Sequence, residues 1–187
     1  MDPVQILTTE RLILRRWYAS DREPFACMNA DPTVMEFFPK MLSRQQSDLL
    51  VQRIEAHFEQ YGFGLFAVEF RENAGFIGFV GLNVPAFEAN FTPCVEIGWR
   101  LAAQYWGHGL ATEGAKAMVA YGFQTLALKE IVSFTVPANT RSRRVMEKLG
   151  MTHDPVDDFD HPQLPPGHPM RRHVLYRLAK PNWNRAF

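Results

Sequence analysis

Several features that would place this chain in a common class of protein are scarce or absent. It has two cysteines in 187 residues, Cys27 and Cys94, and they form no Cys-x-x-Cys pair, which argues against a disulfide scaffold. Lys+Arg and Asp+Glu each number 20, so no overall basic surface favours nucleic acid. No apolar run approaches the roughly 18 residues of a membrane span. The start, MDPVQILTTERL, resembles no secretory signal, so we expect a cytoplasmic protein without nucleic-acid or membrane partners.

Two familiar kinds of ligand site are missing as well. The glycines at positions 107 and 109 do not form the dinucleotide fingerprint, and no Gly-Lys-Ser/Thr follows them, so there is no P-loop. The spacing of the late histidines matches no zinc pattern, and the cysteines lie far from them: His153, His161, His168 and His173. We therefore expect no metal.

What the sequence does contain is ample apolar material. Hydrophobic residues make up 47% and aromatic residues 13%, which suits one domain over residues 1–187. Periodicity and turn signals predict strands over residues 11–17, 65–70, 76–84, 94–101, 131–136 and 173–178. They predict helices from Ser20 toward Asn29 and over residues 43–61, 110–126 and 139–149.

The order of these elements predicts a mixed α/β fold. The early strands should form an antiparallel meander. Strands 94–101 and 131–136 are joined through a helix, so they should be parallel, with a right-handed crossover. We expect one twisted mixed sheet with helices on both faces.

The segment most suggestive of chemistry is the turn between strand 94–101 and the helix that starts at Leu110. Gly107 and Gly109 allow a sharp turn and a close approach of the backbone to a ligand. No Ser, Thr, Asp or Asn at 107–109 caps the helix, so its first amides are free to bind an anion such as a diphosphate. The alternative is that the two glycines only shape a turn.

Four segments in order resemble the GNAT superfamily of acetyltransferases, over roughly residues 5–179. Gln104-x-x-Gly107-x-Gly109 matches the pyrophosphate loop Q/R-x-x-G-x-G/A, and residues 96–99 (EIGW) match the strand before it. Asn139-x-x-Ser142 followed by residues 147–151 (EKLGM) matches the later helix. Residues 9–15 (TERLILR) and 173–176 (HVLY) resemble the RimJ/RimL-type branch, which acetylates protein N-termini and other amines.

The resemblance implies that acetyl-CoA is the co-substrate and that an amine is the acceptor. In such enzymes the parallel strands splay apart and the pantetheine arm enters between them. A bulge at Gly98 would free backbone amides near Ile97 and Trp99 to polarise the thioester. The implied cofactor-binding residues are Ile97, Gly98, Trp99, Gln104, Trp106, Gly107, His108, Gly109, Leu110, Ala111, Asn139 and Ser142.

Glu96 is the candidate base, because an amine must lose a proton before it attacks. It shares a strand face with Gly98 and Arg100. The alternatives are an exposed carboxylate or a partner for Arg100.

Ser142 is the candidate for stabilising the leaving thiolate. Many relatives have a tyrosine where this chain has Met146, and a serine is thought to replace it in RimL-like relatives. The alternative for Ser142, and likewise for Asn139, is a helix cap. The arginines at 141, 143 and 144 lie near the start of the same helix, where either a CoA phosphate or plain solvation would explain them.

On the acceptor side, the resemblance places the region of Phe38 at the border of the channel. We predict that Phe38 forms an apolar wall, with core packing as the alternative. The long loop 154–169 is either a flap over the acceptor or a plain connection. Relatives often dimerise, so a homodimer is also implied. Two other functions remain open: a non-catalytic acyl-CoA-binding module, and a peptide-binding protein that no longer holds CoA.

Overall fold

The computed structural model describes residues 6–186, in which nine strands form one connected sheet. The strands are β1 (Ile6–Thr8), β2 (Leu12–Arg15), β3 (Leu65–Phe70), β4 (Gly75–Asn83), β5 (Glu96–Leu101), β6 (Glu130–Thr135), β7 (Thr152–His153), β8 (Phe159–Asp160) and β9 (Arg172–Ala179). The helices are α1 (Arg22–Asn29), α2 (Arg44–Tyr61), α3 (Leu110–Gln124), α4 (Thr140–Lys148) and α5 (Lys180–Ala186).

The sheet is antiparallel except at one place in its middle. Its strand order is β1-β2-β3-β4-β5-β6-β9-β7, and β8 also pairs with β9. The only parallel neighbours in the described sheet are β5 and β6, which are connected through α3. This arrangement confirms the mixed α/β fold, the antiparallel meander and the central parallel pair.

Helices cover both faces, as consecutive residues of β4 demonstrate. Side chains alternate between the faces of a strand. The Phe79 ring lies 6.1 Å from Phe25 of α1, whereas Val80 packs against Gly114 of α3. The face of β4 and β5 that carries Phe79 and Arg100 is therefore the α1 face, because these two residues are register partners.

The parallel pair separates after a single bridge, between Glu96 and Val132. The Val132 amide donates to the Val95 carbonyl at 2.9 Å, and the Ser133 hydroxyl donates to the Ile97 carbonyl, also at 2.9 Å. A side chain thus replaces the next rung of the ladder. Because backbone groups alternate in direction along a strand, those of Trp99 also face the opening between β5 and β6.

The predicted elements are all present, with shifted ends. The helix predicted over residues 110–126 ends at Gln124, and the strand predicted over residues 11–17 spans only Leu12–Arg15. The bulge expected at Gly98 is wrong: the β4–β5 register runs without interruption from Gly78–Leu101 to Asn83–Glu96. Divergence of β5 from β6 opens the sheet instead. Within residues 6–186, no helix is long and apolar enough to cross a membrane.

Candidate active site

A cavity of about 950 Å³ opens at the divergence of β5 and β6. Its floor is β5, and one end is the turn that leads into α3. The start of α4 lies on one side, and the segment between α1 and α2 lies on another, represented by Phe37, Phe38 and Pro39. The loop before β9 contributes His161, Gln163 and Leu164, so it borders the cavity and is more than a connection.

At one end, the start of α3 has the features of an anion site. Gly107 and Gly109 have φ of +81° and +78°, left-handed values that favour glycine. Gly109 is the N-cap, and no side chain caps the helix. The first three helical residues, Leu110, Ala111 and Thr112, all line the cavity, and amides at these positions have no intrahelical acceptor.

The N-terminal segment holds this turn in place. Arg11 donates to the His108 carbonyl at 3.0 Å and forms an ion pair with Glu113 of α3 at 2.6 Å. The hydroxyl of Thr9 and the backbone amide of Arg11 also donate to Glu113, at 2.6 and 2.8 Å. Residues 9–12 (TERL) therefore hold the glycine turn against the start of α3 through Thr9 and Arg11.

Basic side chains of α4 also line the cavity. Arg141 is paired with Glu36 at 2.6 Å and lies over the Trp106 ring at 4.6 Å. Arg144 and Lys148 line the cavity, and neither forms a hydrogen bond or ion pair with any described residue. Arg143 is occupied elsewhere, since it donates to the Tyr176 hydroxyl at 3.2 Å. Two free cations and a set of uncapped amides in one cavity suit a multiply charged anion.

Glu96 lines the cavity beside Asn83, its register partner on β4. The Asn83 side chain hydrogen-bonds the carboxyl, but burial has the larger effect and raises the pKa of Glu96 from its ordinary 4.5 to about 8. Glu96 is partly buried, so it is not an exposed carboxylate, and no described cation, Arg100 included, forms an ion pair with it. A carboxyl with a pKa near neutrality, in a cavity, is suited to accept a proton.

The start of α4 separates the roles of Asn139 and Ser142. Asn139 is the N-cap: its Oδ1 accepts from the Ser142 amide at 3.1 Å, and its Nδ2 donates to Thr135 at 3.0 Å. The Ser142 hydroxyl makes no hydrogen bond to any described residue and lines the cavity. Met146 is buried in the core. The helix is therefore capped without the Ser142 hydroxyl, which is free to bond a ligand.

Arg100 and Phe38 form the wall on the α1 side. The Arg100 guanidinium lies 3.9 Å from the centre of the Phe38 ring and 5.4 Å from that of Phe79. It donates one hydrogen bond, at 2.6 Å, to the side chain of Asn29 at the end of α1. Burial lowers the pKa of Arg100 to about 10, so the side chain still carries its charge at neutral pH.

Most of the residues singled out in the sequence lie in this one cavity. Its lining contains Phe38, Glu96, Ile97, Gly98, Trp99, Trp106, Gly107, Gly109, Leu110, Ala111, Asn139 and Ser142. Gln104 and His108 are exposed and do not line it. The glycines supply the close backbone approach, and the side chain of His108 between them is left in solvent.

Other residues of the site gave little or no signal in the sequence. Asn83 and Arg100 contribute through contacts with distant elements. Ser133 and Thr135 alternate along β6 with apolar neighbours, and this polar alternation in a central strand was the one available signal. The Ser133 hydroxyl donates a hydrogen bond to the Ile97 carbonyl, and the Thr135 hydroxyl accepts one from the side-chain amide of Asn139.

The chain is similar to known acetyltransferases over most of its length. The Acetyltransferase (GNAT) domain matches residues 11–152. The Bacillus subtilis (strain 168) protein YkkB is 32% identical over 146 residues, which is 78% of this chain and 84% of that protein. The FsC-acetyl coenzyme A-N(2)-transacetylase of Aspergillus fumigatus is 36% identical over 104 residues, covering 51% of this chain and 43% of that enzyme.

A solved structure extends the similarity to the whole fold. The crystal structure of an acetyltransferase from Agrobacterium tumefaciens superposes with a TM-score of 0.76 at 27% identity and covers 95% of both chains. The two chains therefore share one fold over nearly their whole length. The chain is a member of the GNAT acetyltransferase family and an acetyl-CoA-dependent acyltransferase.

Proposed function

We propose that the protein transfers the acetyl group of acetyl-CoA to a primary amine by direct attack within a ternary complex. The observation that carries the proposal is one continuous cavity that joins an anion site at the start of α3, the separated edge of β5, and the carboxyl of Glu96. These are the three things that the reaction needs: a place for the diphosphate, polar backbone groups beside a thioester, and a base.

In this proposal the cofactor is held mainly by backbone. The amides of Leu110, Ala111 and Thr112 bind the diphosphate, with the charges of Arg144 and Lys148 nearby. The pantetheine arm lies along the free edge of β5, where it replaces the backbone partner that β6 no longer supplies. The Trp99 amide faces that opening and is the donor placed to polarise the thioester carbonyl.

Glu96 and Ser142 divide the proton chemistry. Glu96, in its ionised form, takes a proton from the amine as nitrogen bonds to the thioester carbon. The carbon–sulfur bond then breaks, and the Ser142 hydroxyl hydrogen-bonds the thiolate or protonates it and regains a proton from solvent. Glu96 releases the proton of the amine to solvent. Neither cysteine suits an acyl-enzyme route: Cys27 and Cys94 do not line the cavity, and burial, with Glu96 nearby, raises the pKa of Cys94 to about 11.

The proposed branch of the family, the cellular location and the oligomeric state are supported by individual residues or by the family rather than by the fold. The TERLILR segment and the HVLY segment support a RimJ/RimL-like member, and the first of them fastens the cofactor turn through Arg11. Two free thiols and no disulfide among the described residues agree with a cytoplasmic enzyme. A homodimer is expected from the family and is checked by light scattering.

The test is thiol release from acetyl-CoA over a panel of primary amines, with acetyl-CoA binding measured separately by calorimetry. Amine-dependent release supports the proposal. Tight binding without release by any amine would identify a non-catalytic acyl-CoA-binding module. Absence of binding would point to an interaction protein that has lost the cofactor.

A further inference from the structure

Arg100 is a charged side chain of the cavity wall that has no acidic partner. Its one hydrogen bond goes to the neutral side chain of Asn29, and it forms no ion pair with any described residue. Its Nε is buried and makes no hydrogen bond. A guanidinium has five N–H donors in a fixed planar arrangement, so most of this group's hydrogen-bonding capacity is unused within residues 6–186.

The packing of α1 does not explain this charge. Asn29 is fully buried and donates to the Ser47 hydroxyl at 2.8 Å, so it already links α1 to α2. A neutral donor at position 100 would supply the remaining bond to Asn29 without the cost of an unpaired buried charge. A guanidinium held against the rings of Phe38 and Phe79 is instead fixed in orientation, as a binding group should be.

Open space separates Arg100 from Glu96 on the same face of β5. Gly98 lies between them, and a Cβ built at Gly98 would meet no atom within 4 Å. The Cα atoms of Glu96 and Arg100 are about 13 Å apart along an extended strand, and both side chains are long. A small molecule above Gly98 can therefore reach both groups at once.

The charges around this space favour an anion over a cation. Glu96 is the only acidic residue that lines the cavity within the described chain, and its pKa near 8 leaves it mostly neutral at pH 7. His161 and His173 border the same space, and burial lowers the pKa of both, so they are mostly neutral as well. Arg100 thus sets the charge of the acceptor side.

We infer that the acceptor is an amine that also carries a carboxylate, which pairs with Arg100 while the amine lies toward Glu96. This inference rests on the proposed function and specifies its substrate class. A planar carboxylate matches the guanidinium fork, and the chain between the two groups lies over Gly98 beside Phe38. A polyamine would bring a second positive charge to Arg100 and is therefore disfavoured as the acceptor.

The test compares acceptors that differ in this charge, and the longer pairs are decisive because their amine pKa values hardly differ. A series of ω-amino acids from glycine to 6-aminohexanoate is assayed against the matched ω-amino amides by thiol release at fixed pH. We expect kcat/KM for the best amino acid to exceed that of its amide at least tenfold, mainly through KM. In Arg100→Gln the ratio should approach one, with the acetyl-CoA Kd unchanged. Arg22→Gln, which removes a surface guanidinium from α1, should keep the ratio of the original chain.

A second variant leaves Arg100 in place. Asn29→Asp puts a carboxylate at hydrogen-bonding distance from the guanidinium, where it competes with the acceptor's carboxylate. The amino acid to amide ratio should fall in this variant also. Because it retains the guanidinium, it tests the inference even if Arg100→Gln does not fold.

Three results would overturn the inference. Equal kcat/KM for amino acids and amides in the original chain would show that the carboxylate of the acceptor does not contribute to its recognition. A weaker acetyl-CoA Kd in Arg100→Gln, with the ratio intact, would assign Arg100 to the cofactor. If no amine releases thiol, the proposed function fails, and calorimetric titration of 5-aminovalerate and its amide into the CoA-saturated protein decides the inference alone, with equal affinities refuting it.

Discussion

Replacing Glu96 with Gln is expected to stabilise the folded protein and to slow catalysis in the same variant. Burial raises the pKa of this carboxyl from 4.5 to about 8, because protein surrounds it and no cation compensates its charge. Gln has a similar shape and remains able to bond Asn83. The substitution therefore removes an unfavourable ionisation while keeping the packing.

The size of the stability effect follows from the two pKa values. Between pH 4.5 and 8 the unfolded chain releases this proton and the folded chain retains it, so stability falls as pH rises through that window. Each pH unit in the window costs about 1.4 kcal/mol, so the span from pH 4.5 to pH 7 gives an upper bound of roughly 3.4 kcal/mol at pH 7. For a chain of this length, that corresponds to a gain in Tm of about 7–14 °C at most.

The kinetic effect has the opposite sign. In the original chain, kcat/KM should rise with pH through about 8 as Glu96 ionises. In Glu96→Gln this limb should disappear and the plateau rate should fall by roughly a hundredfold. The acceptor should be an alkylamine-type nitrogen with a pKa near 10, so that its own titration lies above that of Glu96.

The assay combines thermal melts of both proteins at pH 5, 7 and 8 with thiol release over the same range. The Tm difference should be small at pH 5 and grow toward pH 8. An equal Tm at every pH would mean that the carboxyl is not destabilised in the folded state. A pH–rate limb near 8 that persists in the variant would mean that the base lies elsewhere.

Three further changes probe the cofactor side. Gly107→Asp should weaken acetyl-CoA binding, measured by calorimetry, by well over tenfold, about 1.4 kcal/mol. Gly167→Asp, at another exposed glycine with left-handed φ, should not weaken it. Equal affinities in the two variants would mean that the anion site lies elsewhere. Ser142→Ala should lower kcat about tenfold at unchanged Tm, while Asn139→Ala should cost about 0.5–2 kcal/mol of stability; a full kcat in Ser142→Ala would retire its role. Arg11→Met should weaken acetyl-CoA binding about tenfold by loosening the glycine turn, since a charge-assisted hydrogen bond is worth about 1.5 kcal/mol. Unchanged affinity would mean that Arg11 is not needed to shape the turn.

Local patterns predicted most of the fold because they depend on neighbouring residues. Two apolar runs on either side of a turn identified β3 and β4, and the apolar stripe from Leu110 to Leu126 identified α3, whose buried face contains Ala115, Met118 and Val119. The glycine turn was also readable, since the need for left-handed φ at Gly107 and Gly109 follows from residue type and spacing.

What the sequence left open depends on contacts between distant segments. The two-residue strands β7 and β8 exist only through pairing with β9 and carry no periodicity of their own. The unpaired charge of Arg100 depends on Asn29, 71 positions away, and the pKa of Glu96 depends on burial beneath other elements. The mistaken bulge at Gly98 has the same origin, because a glycine in a strand signals either a kink or free space, and here it leaves space.

The separation of β5 from β6 gives the bound cofactor a mechanical role. The two halves of the sheet, β1–β5 and β6–β9, share one backbone bridge and the Ser133 hydroxyl as their sheet-to-sheet link. In the proposed complex, a pantetheine arm along β5 would take the place of a strand, and acetyl-CoA above its Kd would stabilise the folded protein by mass action. The cofactor would then join the two halves of the sheet as well as supply the acetyl group. The amide hydrogens of β6 should gain the most protection from hydrogen exchange when acetyl-CoA binds.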